Sequence, residues 1–104
     1  MLRSLGQRPV TGRGEDQKVA ELRTAVSRLR RELAALPSEF PDRGIAEDEL
    51  ATLAAMAAGG MPEIPRLRSS LLLIAGAIGS VSALARGLTE VRAAVDLFGE
   101  PPRS

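Results

Sequence analysis

The sequence predicts an all-α domain, a three- or four-helix bundle, and three observations support this prediction. Two stretches repeat apolar residues at alternating spacings of three and four, which draws an apolar stripe that another helix must cover. Aromatic residues make up only 2% of the chain, so the core must be aliphatic, and such residues suit helix packing better than sandwiches or barrels. A length of 104 residues allows one domain with one modest core.

The first helix is expected over residues 15–36. Residues 1–14 contain glycines and arginines without periodicity, which is typical of a flexible basic tail. Pro37 ends the helix, and the short connector 37–42 predicts an antiparallel hairpin with the next helix. The apolar stripe of this first helix consists of Val19, Leu22, Val26, Leu29, Leu33 and Leu36.

The second helix is expected over residues 43–58. Gly59 and Gly60 end it, and Pro62 and Pro65 favour the start of the next helix. Acidic residues in its first turns suit the positive end of the helix dipole. Its apolar face consists of Leu50, Leu53, Met56 and Ala57.

The third helix is expected over residues 64–86 and to lie at the centre of the bundle. It carries no charge from Leu71 to Ala85, and a helix that is apolar on every side is buried or lies in lipid. We expect the first helix to pack along it through the matching seven-residue seams. The second seam consists of Ile64, Leu67, Leu71, Ile74, Ile78, Val81, Ala85 and Leu88.

A short fourth helix is expected to complete the bundle domain, residues 15–98. Gly87 is interpreted as a break after the third helix, and Thr89 as the cap of the fourth, which runs to about Phe98. Its inner face is predicted to contain Val91, Ala94, Val95 and Phe98. Residues 99–104 are typical of a disordered tail.

Small residues four apart form the most distinctive local pattern, in the third helix. Glycine costs roughly 1 kcal/mol relative to alanine inside a helix, so two glycines there need a reason. They favour either a groove for a second helix, across a two-fold axis, or close packing within one bundle. Gly79→Leu is predicted to overfill this groove and disrupt packing. The predicted interaction residues are Leu22, Leu29, Leu33, Gly76, Gly79 and Ala83.

The composition argues against catalysis. Cysteine and histidine are both absent, which removes thiolate nucleophiles, the usual general base and the commonest metal ligands. Glu47, Asp48 and Glu49 are consecutive and fan around a helix instead of converging, and Ser69-Ser70 has no activating partner. We expect no enzyme activity, no catalytic or metal site, no cofactor and no small-molecule substrate.

Three function hypotheses remain. The favoured one is a non-enzymatic protein–protein interaction module in the cytoplasm, a small adaptor or regulator that self-associates or binds a protein partner. Residues 69–85 are uncharged and just long enough for a membrane anchor, but they include four serines and two glycines. A DNA-associated regulator would use the arginines of the first helix. The net charge of only +1 argues against this hypothesis. We expect neither membrane nor nucleic acid as the partner.

Two runs carry a resemblance to a known group of proteins. These are LRRELAALPSEFPD from Leu29 and RSSLLLIAGAIGSVSAL from Arg68. They resemble small hypothetical proteins of actinobacteria, of the streptomycete type. No assigned function comes with this resemblance, which implies only a bacterial cytoplasmic setting.

Overall fold

The structure, a computed structural model, describes residues 11–37, 39–60 and 62–99, and four α-helices account for most of them. No strand occurs within these ranges, so the predicted all-α bundle is confirmed. Residues 1–10 and 100–104, to which parts of both predicted tails belong, lie outside the described residues. The helices are α1 (Thr11–Ala35), α2 (Arg43–Gly59), α3 (Ile64–Ile78) and α4 (Ala85–Gly99), with a 3₁₀ turn at Ser82–Leu84.

The helices form a ring in which each packs against the next and α4 closes against α1. The ion pair between Arg28 and Glu90 and the position of Gly87 beside Leu29 and Glu32 show that α1 and α4 run antiparallel. Short connections between successive helices give the same up-and-down order throughout. The first helix and the third are therefore diagonal, not adjacent.

The predicted stripe on α1 is buried in the core. All but the last of its six residues are buried, and Leu36 is partly buried against the same cluster. Heptad-like spacing keeps these side chains on one face, where α2 and α4 cover them. The buried aliphatic core comprises Val19, Leu22, Ala25, Val26, Leu29, Leu33, Ala46, Leu50, Leu53, Ala57, Leu67, Leu71, Ile74, Ile78, Leu84, Val91, Ala94 and Val95.

The connection between α1 and α2 is held by Arg43. Its guanidinium donates hydrogen bonds to the carbonyl oxygens of Leu33 and Leu36, at 2.6 and 2.9 Å. The last carbonyls of a helix lack the usual partners within the helix, so this side chain gives one to Leu36 and a second one to Leu33, whose carbonyl also accepts from the N–H of Leu36. Pro37 follows directly after the end of α1, as predicted.

The end of α2 also follows the prediction. Gly60 adopts the left-handed conformation, with φ of 79°, and its N–H donates to the carbonyl of Ala57. Only glycine takes this conformation without steric cost, which is why a Gly-Gly pair ends helices. Pro65 then occupies the first turn of α3.

The predictions for the third helix need two corrections. It ends at Ile78 instead of residue 86, and it packs on α2 and α4 at one side of the ring instead of lying at the centre. The end comes where Gly79 donates to the carbonyl of Ala75 at 2.8 Å and Val81 adopts an extended conformation. The seam residues Ala85 and Leu88 therefore belong to the next helix.

The fourth helix begins earlier than predicted. Since α4 starts at Ala85, Thr89 lies inside it and caps nothing, and Gly87 is a buried residue of its first turn instead of a break. Val91, Ala94 and Val95 are buried as predicted. At the other end of the chain, α1 begins at Thr11, so residues 11–14 are helical and the prediction that they belong to a flexible tail is wrong.

Candidate protein interaction site

The outward side of α3 is uncharged along most of its length. Five residues here are exposed, the last of them in the turn directly after α3, and we call them the α3 outer face: Ser69, Leu72, Leu73, Gly76 and Ser80. Leu72 retains 72% of its accessible surface and Leu73 retains 49%. Exposed single leucines are common on protein surfaces, but two adjacent ones on a face without a charged side chain form an apolar patch.

The small and large residues of this face have an ordered arrangement. At 100° per residue, Ser69 and Gly76 lie within about 20° of each other and form its midline. Leu72 and Leu73 lie about 50° to either side of that line. A side chain built on Gly76 would meet no atom within 4 Å, so the midline is open to solvent. The result is a shallow channel with one leucine on each flank.

A second helix extends the apolar surface. Glu49 accepts a hydrogen bond from the hydroxyl of Ser70 at 2.8 Å, which fixes the register of α2 against α3. Ile45 lies one turn before Glu49 on the same side of α2, so it stands beside the C-terminal half of α3. Its side chain is 46% exposed. The surface thus has three large exposed apolar side chains.

The predicted interaction residues fall into two groups. Leu22, Leu29 and Leu33 are almost completely buried within the bundle, where they contact other helices of the same chain. They are therefore inaccessible to a partner as long as the bundle is folded. The other group, Gly76, Gly79 and Ala83, is exposed.

The exposed group does not form one continuous line. Gly76 lies within α3, Gly79 follows its last residue, and Ala83 is part of the 3₁₀ turn. A side chain at Gly79 would meet the backbone carbonyl of Ala75. A leucine at position 79 would therefore first disturb the end of α3, where it meets this carbonyl.

Sequence reasoning missed the close helix contact that the structure contains. A Cβ on Gly87 would lie 2.5 Å from Oε1 of Glu32 and 2.9 Å from Cδ1 of Leu29. The Glu32 oxygen is buried there without a hydrogen-bond partner. The signal was present, because Gly87 lies one turn before Val91 on the buried face of α4.

A depression of about 310 Å³ with a mixed polar and apolar lining lies between α1 and α2. Arg30 and Glu47 both line it, so a guanidinium in the C-terminal part of α1 and a carboxylate in the second turn of α2 border one depression. Within the described ranges no three histidine, cysteine or acidic residues are grouped in a way that could hold a metal ion. The depression offers one carboxylate and one guanidinium, which suits solvent and intramolecular charge pairing.

A membrane anchor over residues 69–85 would require one long apolar helix. None of the helices in the described part of the chain combines the length and the hydropathy needed to cross a bilayer. The uncharged run 69–85 is divided by the turn that follows Ile78, so it is not one continuous helix.

One family model matches residues 11–99, which include all four helices and the α3 outer face. The chain belongs to DUF5955, a family of unknown function. No curated protein and no solved structure matches it. Membership of DUF5955 therefore assigns no activity, and a function must be argued from the surface that the bundle presents.

Proposed function

We propose that this protein is a non-enzymatic helical interaction module, a small adaptor or regulator that associates with a second copy of itself through the α3 outer face. The setting we propose is the cytoplasm of an actinobacterium, as the resemblance of its sequence implies. The observation that carries the proposal is the exposure of Leu72 and Leu73 on an uncharged helix face. The proposal assigns no small-molecule substrate, nucleic acid or membrane to this surface.

The two exposed leucines supply the free energy of association. Removing a leucine side chain from water contributes roughly 1.5–3 kcal/mol, in proportion to the area covered. A two-fold arrangement places the same surface on both copies, so each leucine contributes twice. Burial of four leucines offsets part of the entropy lost on association, and the small area of one helix face is typical of weak, reversible association.

The midline of the face supports a helix as the occupant. Gly76 has no side chain and Ser69 has a small one, so another helix backbone can approach closely between the flanking leucines. A charged partner would find nothing to pair with on these five residues. An apolar face with a small-residue midline, such as the face itself, is complementary to it.

Sedimentation equilibrium of the purified protein tests this proposal. We expect a monomer–dimer equilibrium at concentrations up to about 200 μM, where an association free energy of only about 5 kcal/mol is detectable. Leu72→Glu should weaken the dimer at least about tenfold, because a carboxylate would be buried without a partner. Leu72 is largely exposed, so the fold should persist, which circular dichroism would verify.

Ala93→Glu is the matched control. Ala93 is exposed on α4, and the substitution adds the same carboxylate to a helix surface away from α3. It should leave the dissociation constant unchanged. A wild-type chain that stays monomeric across the whole concentration range, or a Leu72→Glu variant that dimerises as well as wild type, would refute the proposal.

A further inference from the structure

We infer that the two copies pair their α3 helices antiparallel, about a two-fold axis between Leu72 and Leu73, with Arg66 of each copy beside Asp42 of the other. This inference rests on the proposed self-association and adds its geometry. It is carried by the order of residues along the α3 outer face and by two charged residues beside it, Arg66 in α3 and Asp42 just before α2.

The α3 outer face is nearly symmetric about its own centre. A two-fold axis between Leu72 and Leu73 brings Ser69 of one copy opposite Gly76 of the other, so small residues meet small residues at both positions. Because Leu72 and Leu73 lie on opposite flanks, each leucine meets its own counterpart across the axis. The channel therefore fills without a charged or bulky residue on its midline.

The exposed isoleucine of α2 fits the same arrangement. A two-fold axis perpendicular to the helices keeps both α2 helices on one side of the α3 pair. Ile45 stands beside the C-terminal half of its own α3, so it also lies near the N-terminal half of the other copy's α3. Leu73 occupies this flank, and the two side chains extend the apolar contact beyond α3 itself.

Charge decides between the antiparallel and parallel alternatives. Arg66 lies at the N-terminal end of the face, on the side towards α2, and is exposed. Asp42 precedes α2, seven residues before Glu49, so the antiparallel register places it beside α3 about seven residues past Ser70. That position lies opposite Arg66 of the second copy.

A parallel pair lacks this complementarity. It would bring Arg66 of both copies to the same end, where like charges repel. It would also align the two helix dipoles, whereas the antiparallel pair places each arginine near the negative end of the other helix. Two oppositely charged contacts and opposed dipoles favour the antiparallel arrangement.

Cysteine crosslinking tests the geometry directly, because the natural chain contains no cysteine. In the antiparallel pair, position 69 of one copy is level with position 76 of the other. The two copies of position 69 are about 10 Å apart along the helix axis, and so are the two copies of position 76. Disulfides require Cα atoms within about 7 Å of each other. We expect a mixture of Ser69→Cys and Gly76→Cys chains to form the mixed disulfide dimer on mild oxidation, and each variant alone to stay largely uncrosslinked.

The outcomes separate the two proposals. Self-crosslinking of each variant alone, in a protein that sedimentation shows to be dimeric, would overturn the antiparallel geometry and leave self-association standing. A dimer without any crosslink at these positions would overturn the geometry and also the assignment of the contact to the α3 outer face, since the face would then lie outside the contact. A monomeric wild-type chain would overturn both proposals.

Charge reversal provides a second test of the same register. Arg66→Glu should weaken the dimer about three- to tenfold, since two surface ion pairs become two repulsions. Adding Asp42→Arg to this variant should recover at least half of the lost free energy of association. Arg23→Glu, a reversal on the exposed side of α1, is the control and should have no such effect. If Asp42→Arg weakens the Arg66→Glu dimer further, the register is wrong.

Discussion

Gly87 in α4 and Gly76 in α3 both interrupt apolar helical sequences, yet the structure uses them in opposite ways. Gly87 is buried, and a side chain there would meet Leu29 and Glu32 of α1. Gly76 is exposed and has open space around it. One glycine lets two helices of the chain approach each other, and the other leaves a helix face open.

The difference distinguishes a helix contact that is formed within the chain from a helix face that is exposed. At Gly87 the neighbouring helix is already present, so the contact stabilises the bundle and contributes nothing to recognition. At Gly76 no atom of the described residues would lie within 4 Å of an added side chain, and two exposed leucines flank the position. Three substitutions test this distinction, and they are ordered from the largest expected effect on stability to the smallest.

The largest effect is expected for Gly87→Leu. The new side chain would have to displace Leu29, which is fully buried, so overpacking should lower the free energy of unfolding by about 1–3 kcal/mol. Urea unfolding followed by circular dichroism, at a protein concentration where the chain is monomeric, measures the change. A Gly87→Leu variant as stable as wild type would show that α1 and α4 do not approach closely there.

The matched substitution Gly76→Leu should have a smaller effect of opposite sign. Leucine is a better helix former than glycine and meets no neighbour at this position, so we expect a gain of about 0.5–1 kcal/mol in the monomer. The same variant should weaken self-association, because the added side chain fills the channel between the leucines. A clear loss of monomer stability would mean that the site is already occupied within the chain.

The smallest effect is expected for the ion pair between α1 and α4. Arg28→Gln removes the 3.0 Å contact with Glu90, and both side chains are substantially exposed. We expect a loss of no more than about 1 kcal/mol in low salt, reduced further in high salt. Urea unfolding at two salt concentrations measures it. A loss larger than that of Gly87→Leu would mean that charge pairing, not close packing, holds α4 on α1.

Local signals in the sequence were sufficient for most of the helix boundaries. Pro37 and the pair Gly59-Gly60 act through backbone geometry that is nearly independent of the surroundings, and both ended helices as predicted. The seven-residue stripe of α1 likewise predicted the face that is buried, because periodicity alone decides which side chains share a side.

The end of α3 could not be predicted from the same signals. The apolar spacing continues from Ile78 through Val81 and Ala85, so the sequence predicts one long helix. The chain turns at Gly79 instead, and Leu84 is buried as the chain returns along α1. A helix break cannot be detected from apolar spacing when the same spacing continues on both sides of it, because each of the two helices fits the pattern by itself.

For the predicted interaction residues, too, the sequence predicted one part and only the structure showed the other. The sequence identified Gly76 as unusual and grouped it with Leu22, Leu29 and Leu33, but apolar spacing does not state which partner covers a residue. The ring arrangement buried the three leucines inside the chain and left α3 at the side, with Leu72 and Leu73 in solvent.

By itself, the sequence determined that this protein is helical, where α2 begins and ends, and which side of α1 is apolar, since these follow from backbone preferences and residue spacing. Only the tertiary structure decided which helices are neighbours, that Gly87 and not Gly76 lies at a close contact, and which apolar face remains uncovered. Those outcomes depend on how four apolar faces share one small core, and that competition involves residues far apart in the chain.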